Sequence, residues 1–335
     1  MQRAKASAGK TLITLQVACQ QIIDLARTDG TKRDYDECCT TLCSFFGDAT
    51  PLHEVSAERI EDFVAHRRAA RWRGRPISER RIGKELRVLG RVFNVAIRKQ
   101  QFPEASPLLR IEKPKERPTD AGHYSIDELG EVVAALREQE RKTAERSWRY
   151  VVAFVFSGLR RSEFCRLLAG QFDLVGGWLR NIDGKRNVRD LPITKPLAAA
   201  VRPLLIDLQP SDHLVPGGKA RGPRTEGNRP RTDLERRVGI IDGLFRRFRE
   251  VLPERLRARF HPHALRHTMR TILADASVPS HVRDALTRHS GRGEGARYEH
   301  VAPLLLRNHA HAVLDPLLWI VEPPAAEAAS AQQAT

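Results

Sequence analysis

The residues of this sequence that are best suited to chemistry are cations, histidines and one tyrosine. His263 and Arg266 are three positions apart, so on one helix they project from the same face. Further cations occur upstream in SGLRRSE and DGKRN, and a histidine and a tyrosine follow downstream. The six candidate catalytic positions are Arg160, Lys185, His263, Arg266, His289 and Tyr298.

These residue types are suited to attack on a phosphate. Arginine presents a planar fork that matches phosphate oxygens and stays protonated at any biological pH. Histidine exchanges a proton near neutrality, which suits acid–base work. Tyrosine is a poor nucleophile until its proton is removed, and neighbouring arginines make its phenolate accessible. Because cations directed at a pentavalent phosphate stabilise its charge without a metal, the sequence predicts a site with no metal and no cofactor.

A zinc site is the main competing interpretation of the histidines. His263 and His267 have the i,i+4 spacing of helical metal ligands, but Arg266 would then place a cation beside the metal. No acid or cysteine completes such a site, so zinc is the weaker hypothesis. Taken alone, His289 follows an apolar stripe and would be interpreted as a core histidine.

The composition of the chain indicates what it binds. The 335 residues carry a formal charge of +16, and 41% of them are hydrophobic, which is enough to form hydrophobic cores. Such a basic balance favours a polyanionic partner, with nucleic acid ahead of a membrane surface. The odd count of five cysteines argues against a disulfide framework and fits a reducing cytoplasm.

The first half of the chain is predicted to be helical, and its most informative helix begins near Ser78. Ile82, Leu86, Leu89 and Phe93 recur at helical spacing and predict a buried face. A second, basic stripe lies nearly opposite, with few acids among its members. It is interpreted as a DNA-binding face, although an ordinary solvated face is the alternative. The stripe consists of Arg80, Lys84, Arg87, Arg91 and Arg98.

The elements that position the six candidates follow a polar, proline-containing linker at 109–122. Ser125 and Glu128 form a capping box that begins the next helix. Runs of β-forming residues at 178–182 and 188–193 predict a hairpin with Lys185 at its tip. An apolar helix is predicted over about 303–321, followed by a disordered tail at 322–335.

These motifs, in this order, resemble the tyrosine recombinase (phage integrase) family. Arg160 matches the family's first arginine, Lys185 its hairpin lysine, and His263 and Arg266 its H-x-x-R pair. His289 matches the second histidine, and Tyr298, nine residues later, matches the nucleophile. Two departures occur: Arg288 stands where the family usually has glycine, and the segment GRGEGAR is unusually rich in glycine.

The resemblance implies a mainly α fold. It consists of a lead-in at 1–11, an all-α, SAM-like core-binding domain at 12–108, and a mixed α+β catalytic domain at 123–321 with a small antiparallel sheet. Glu163 and His267 are expected to support the catalytic residues.

The implied function is site-specific DNA recombination through a 3′-phosphotyrosyl intermediate, serving integration, excision or resolution of DNA elements. The implied partner is double-stranded DNA, bound by a homotetramer on paired sites in a bacterial-type cytoplasm at the nucleoid. A type IB topoisomerase-like relaxase shares this chemistry, and a DNA-binding protein that kept the fold without catalysis is a further alternative.

Overall fold

The computed structural model describes residues 13–112, 114, 122–143, 146–182, 189–217, 232–287 and 301–323. The chain divides into two compact units, Met1–Thr119 and Asp120–Thr335, and the division falls within the predicted linker segment. The predicted lead-in lies outside the described residues, as does the predicted tail from 324 onward.

The first unit is a bundle of helices with one short hairpin. Its helices are α1 (Leu15–Asp24), α2 (Asp29–Phe46), α3 (Ala57–Ala69) and α4 (Glu79–Arg98), and its strands are β1 (Arg71–Trp72) and β2 (Arg75–Pro76). Strands β1 and β2 pair antiparallel between α3 and α4, so the unit predicted to be all-α contains one small β element. Short 3-10 helices span Leu52–Glu54 and Pro107–Arg110.

Helix α4 begins where the sequence predicts. The Ser78 hydroxyl accepts a hydrogen bond from the Arg81 amide at 3.3 Å, which satisfies one of the unpaired donors of the first turn. Ile82, Leu89 and Phe93 are fully buried against α1 and α2, which confirms the predicted apolar face. The opposite side of the helix is thereby fixed toward solvent.

The second unit is mostly helical around one antiparallel sheet. The strands are β3 (Phe172–Asp173), β4 (Trp178–Ile182) and β5 (Arg189–Pro192), in the order β3-β4-β5. Strands β4 and β5 are the two arms of the predicted hairpin. The helices are α5 (Ile126–Thr143), α6 (Trp148–Ser157), α7 (Arg161–Phe164), α8 (Lys195–Leu205), α9 (Asp233–Val251), α10 (Glu254–Arg257), α11 (Pro262–Asp275), α12 (Ser280–Thr287) and α13 (Pro303–Leu314).

The core of this unit is centred on α6, whose side chains are buried from Val151 to Ser157. Helices α8 and α11 pack against it. Thr268 on α11 is fully buried, accepts from the Tyr124 amide at 3.0 Å and donates to the Ala264 carbonyl at 3.0 Å. The predicted mainly α fold with a small antiparallel sheet is confirmed.

The chain end differs from the single helix predicted over about 303–321. Helix α13 stops at Leu314, and a 3-10 helix continues over Asp315–Ile320. The cause is Pro316, which has no amide hydrogen and whose ring would clash with the carbonyl four residues earlier. Both segments bury apolar side chains in the core of their own unit, namely Leu306, Ala310, Leu314, Leu317 and Ile320.

None of the helices in the described ranges is long and apolar enough to cross a lipid bilayer.

Candidate active site

Arg160 lies at the break between α6 and α7. Its backbone amide donates to Glu163 Oε2 at 2.9 Å, and its Nη1 donates to Glu163 Oε1 at 3.0 Å. Glu163 is buried, while the Arg160 side chain is 47% exposed. The carboxylate therefore anchors one edge of the guanidinium, and the supporting role of Glu163 stays a prediction.

Gly158 makes the sharp turn before Arg160. Its φ of +58° lies in the left-handed region that favours glycine, and a Cβ at this position would overlap the sulfur of Met269 on α11. Because no side chain intervenes, α6 ends in close contact with α11. The turn thus brings Arg160 next to the helix that carries His263 and Arg266.

Arg266 is 3% exposed and donates through Nη1 to the carbonyl of Gly158 and through Nη2 to the carbonyl of Thr287. Burial lowers the pKa of Arg266 to about 10, and the neighbouring Arg160, Arg189 and Arg270 act in the same direction. A group with that pKa still carries its charge at neutral pH. Several positive charges are therefore concentrated around a single buried cation.

The two histidines of α11 lie side by side. His263 Nε2 and His267 Nε2 are 2.8 Å apart, and the ring centroids are 4.3 Å apart at 87°. Burial lowers the pKa of His267, with smaller contributions from His263 and nearby arginines. The hydrogen bond requires one of the two nitrogens to be unprotonated, so the pair can hold or pass one proton.

His261 begins this helix and escaped the sequence analysis. Its Nδ1 accepts from the Ala264 amide at 3.2 Å, and Pro262 follows in the first turn. Burial lowers the pKa of His261, which favours the neutral ring that can accept this bond. A histidine immediately before proline at a helix start was the available signal, but histidine is not a usual N-cap residue.

Arg270 and Thr287 were also missed. Arg270 Nη1 donates to Asp284 Oδ1 and lies 3.4 Å from Thr287 Oγ1, so it joins α11 to α12. Thr287 is fully buried, and its hydroxyl donates to the Arg283 carbonyl at 2.8 Å. Arg270 lies four residues after Arg266 on the same helix, but nothing in the sequence identifies its partner on α12.

Of the six predicted catalytic residues, Arg160 and Arg266 are thus brought together, and His263 lies on the same helix as Arg266. Lys185, His289 and Tyr298 lie outside the described residues. In the described part of the chain, no group of three or more His, Cys, Asp or Glu side chains could hold a metal ion.

The basic stripe of α4 belongs to the first unit. Arg80, Arg87 and Arg91 are exposed. Lys84 Nζ pairs with Asp34 Oδ1 on α2 at 2.8 Å, and Arg98 donates to the Asn94 carbonyl at 3.2 Å. The stripe therefore contains both exposed cations and one cation that is partly neutralised by another helix.

A comparison with protein families finds one that matches residues 126–304, described as the phage integrase family. This segment is more than half of the 335 residues and includes all six predicted catalytic positions. The chain belongs to the phage integrase family. The resemblance noted in the sequence is confirmed, and the protein is a site-specific recombinase, an enzyme of DNA recombination and integration.

Solved structures agree with this assignment at the level of fold. Tn1549 transposon integrase in complex with circular intermediate DNA is similar with a TM-score of 0.60 at 16% identity, over 88% of this chain and 98% of that one. A lambda integrase tetramer bound to a Holliday junction matches with a TM-score of 0.60 at 13% identity, over 87% of this chain and 78% of that one. No curated protein matches the sequence.

Proposed function

We propose that this recombinase cuts and rejoins duplex DNA by transesterification at a backbone phosphate, with Tyr298 as the nucleophile. The Tyr298 oxygen forms a bond to phosphorus while the bond from phosphorus to the 5′ oxygen breaks, which leaves a 3′-phosphotyrosyl link. The phenol gives its proton to a base, and the 5′ oxygen takes one up. Attack by a 5′ hydroxyl on the same link reverses the reaction, so each strand is rejoined without an external energy source.

The observation that carries this proposal is the junction at Gly158. Its carbonyl accepts from Arg266, its turn leads directly to Arg160, and its missing side chain admits α11. Two guanidinium groups from separate elements are thereby held close together, one by Glu163 and one by backbone carbonyls. Fixed positive charge of this kind stabilises a pentavalent phosphate with little reorganisation.

Roles follow for the remaining residues. Arg160 and Arg266 would neutralise the non-bridging phosphate oxygens, and His263, hydrogen bonded to His267, would exchange the proton. Lys185 and His289, outside the described residues, would complete the site from the hairpin and from the segment after α12. No metal enters this scheme, because arginines occupy the positions where a nuclease places carboxylates.

The partner we propose is double-stranded DNA, bound by a core-binding domain (12–108) in the first unit and a catalytic domain (123–321) in the second. The charge of +16 and the exposed arginines of α4 support it. Lambda integrase was solved as a tetramer on a Holliday junction. A homotetramer on paired sites is proposed here on that likeness, because one nucleophile cuts one strand and recombination exchanges four.

The test is to trap the covalent intermediate on nicked site DNA, with sites taken from inverted repeats that flank the gene. The wild-type protein should form a species that resists denaturant, and Tyr298→Phe, which removes only the nucleophilic oxygen, should not. Tyr35→Phe on α2 is the matched control and should react normally. Trapping should also survive chelation with EDTA.

Two results would contradict the proposal. A Tyr298→Phe variant that still forms the denaturant-resistant species would refute the assignment of the nucleophile. Activity lost with EDTA and restored by magnesium or zinc would refute the metal-free scheme.

A further inference from the structure

The hairpin between α3 and α4 projects a strongly basic tip. Arg71 pairs with Pro76 and Trp72 with Arg75, and the two residues of the turn are Arg73 and Gly74. Both have positive φ, +49° and +78°, the geometry of a type I′ turn. Arg71 Nη1 donates to the Gly74 carbonyl at 3.1 Å and further fixes the turn.

The base of the hairpin is held by two bidentate ion pairs. Arg67 near the end of α3 donates through Nε and Nη2 to Glu85 of α4 at 2.9 and 2.8 Å, and Glu85 is fully buried. Arg68 binds both oxygens of Glu79 at 2.9 Å. Planar fork-to-carboxylate pairs restrict orientation as well as distance. The helices on either side of the hairpin are therefore joined to each other, and these ion pairs restrict the orientation of the hairpin at its base.

The side chains of the hairpin are available to a partner. Arg71, Trp72, Arg73 and Arg75 are all exposed, Trp72 to 64%. No acidic residue occurs from 71 to 78. The Arg73 guanidinium lies 4.5 Å from the centroid of the Trp72 ring, so a flat cationic and aromatic surface forms at the tip.

We propose that this hairpin is a second DNA-binding element that enters a groove of the duplex, and that Trp72 and Arg73 contact base and sugar edges there. The proposal rests on the proposed function. It is based on charge complementarity. Arg71, Arg73 and Arg75 lie in a segment that contains no acidic residue, so their charges repel one another, and a polyanion bound to them would relieve that repulsion. A two-stranded ribbon fits the major groove of B-DNA, and arginine is the usual partner of guanine there.

Two kinds of contact are proposed for the hairpin. Trp72 and Arg75 lie directly opposite each other and share one face, while Arg73 occupies the turn itself. The Arg73 guanidinium and the Trp72 ring contact each other and are assigned to the base edges, where they would discriminate between sequences. Arg75, on the strand opposite Trp72, is assigned to a backbone phosphate, which strengthens binding to any sequence. The hairpin would thus add sequence selectivity to the general affinity supplied by α4.

The experiment measures the affinity of the full-length protein for its site and for a mixed-sequence duplex, by fluorescence anisotropy between about 50 and 200 mM salt. Arg73→Asn keeps the turn, because Asn-Gly is a favoured type I′ pair, and removes the cation. Trp72→Thr keeps a good strand former and removes the indole. We expect each to weaken site binding by about 10-fold and to affect the mixed duplex much less.

Arg75→Ala should behave differently. It should weaken binding to both duplexes alike and reduce the salt slope by about one unit, since it removes a phosphate contact. The controls are Arg27→Ala, an exposed arginine that loses the same charge elsewhere, and Leu109→Ala, an apolar side chain that is 80% exposed. Neither control should change the ratio of the two affinities.

The outcomes separate the hairpin from the proposed function. If wild-type protein forms the covalent species but Arg73→Asn and Trp72→Thr keep full affinity and selectivity, the hairpin proposal is overturned and the function stands. The same holds if these variants change only self-association in sedimentation, because the hairpin would then bind a second copy of the chain. Absence of the covalent species with wild-type protein, together with selective binding that depends on Arg73, would overturn the function and keep the hairpin.

Discussion

Arg160 and Arg266 present their charges in different ways. Arg266 is buried and bonded to two backbone carbonyls, so its plane is set by the fold. Arg160 is half exposed and anchored at one edge by Glu163. The lowered pKa of Arg266 reports repulsion from neighbouring cations in addition to burial. An arriving phosphate would relieve that repulsion, which gives the site intrinsic affinity for the group on which it acts.

We propose that His267 positions His263, and its removal gives the first residue-scale prediction. We expect His267→Ala to slow DNA cleavage on the order of 10- to 100-fold, because His263 loses its partner at 2.8 Å. His267→Gln can keep one hydrogen bond without titrating and should recover part of the rate. The measurement is single-turnover cleavage of nicked site DNA as a function of pH, with His53→Ala, an exposed histidine of the first unit, as control.

The sign of the pH effect follows from the lowered pKa of His267. The unfolded chain takes up a proton near pH 6.5 while the folded ring is still neutral, so stability falls as pH drops from about 6.5 toward the folded pKa. The hydrogen bond between the rings is lost when both Nε2 atoms carry a proton, and a glutamine at position 267 cannot titrate into that state. Wild-type cleavage should therefore show an acid limb that the Gln variant lacks. Identical acid limbs in the two proteins would exclude His267 from this role.

At the scale of elements, helix α4 has a buried apolar face and a cationic face, and acidic residues of helix α2 pair with some of the cations of α4. Asp34 on α2 pairs with Lys84, and Glu37 on α2 pairs with Arg81 at 3.0 Å. Glu85, which interrupts the basic run in sequence, is fully buried and bound by Arg67 and Arg81. Glu85 is thus turned away from the stripe, and Arg80 and Arg91 are exposed on it.

We therefore expect Arg80→Ala and Arg91→Ala each to weaken binding to all duplex sequences alike and to lower the salt slope by about one unit, because counterions are released at each phosphate contact. Lys84→Ala is the matched comparison. Its charge is already offset by Asp34, so its slope should change less. Titrations across salt concentrations would measure all three. Unchanged affinity and slope in both arginine variants would return the stripe to an ordinary solvated face.

Helix α4 and the hairpin at 71–76 differ in how well the sequence predicts them. The α4 helix was predictable because its apolar period and its cap lie within the helix itself. The hairpin at 71–76 was missed because arginine and glycine in so short a segment give no alternation of apolar residues. The spacing of His263 and Arg266 predicted a shared face. Their approach to Arg160 depends on packing of α6 against α11 at Gly158, which no local pattern encodes.

At the scale of the whole molecule, we propose that assembly depends on the segment from 303 to 321. The segment from 303 to 321 is fixed to its own unit by polar contacts as well as by its buried side chains. Asp315 accepts from His311 at 2.9 Å and from the Lys195 amide at 2.7 Å, and Arg137 donates to the Ile320 and Val321 carbonyls at 3.0 and 2.8 Å. Deleting the segment would remove core side chains, so a deletion cannot separate folding from assembly.

Leu304 and Leu305 allow a cleaner test, because they are 67% and 40% exposed at the start of α13 while the residues after them are anchored. We expect the double variant Leu304→Ser, Leu305→Ser to fold and to form the covalent species on a single site. It should fail in cooperative pairing and strand exchange, because the exposed leucines are the apolar surface that a neighbouring protomer would cover.

Val175→Ser, a fully exposed valine at the turn between β3 and β4, is the control for loss of surface hydrophobicity. Band-shift and strand-exchange assays on single and paired sites would measure both proteins. Normal recombination by the double variant would exclude this end of α13 as the assembly surface, whereas loss of single-site cleavage together with a lowered melting temperature would place the two leucines in the fold instead.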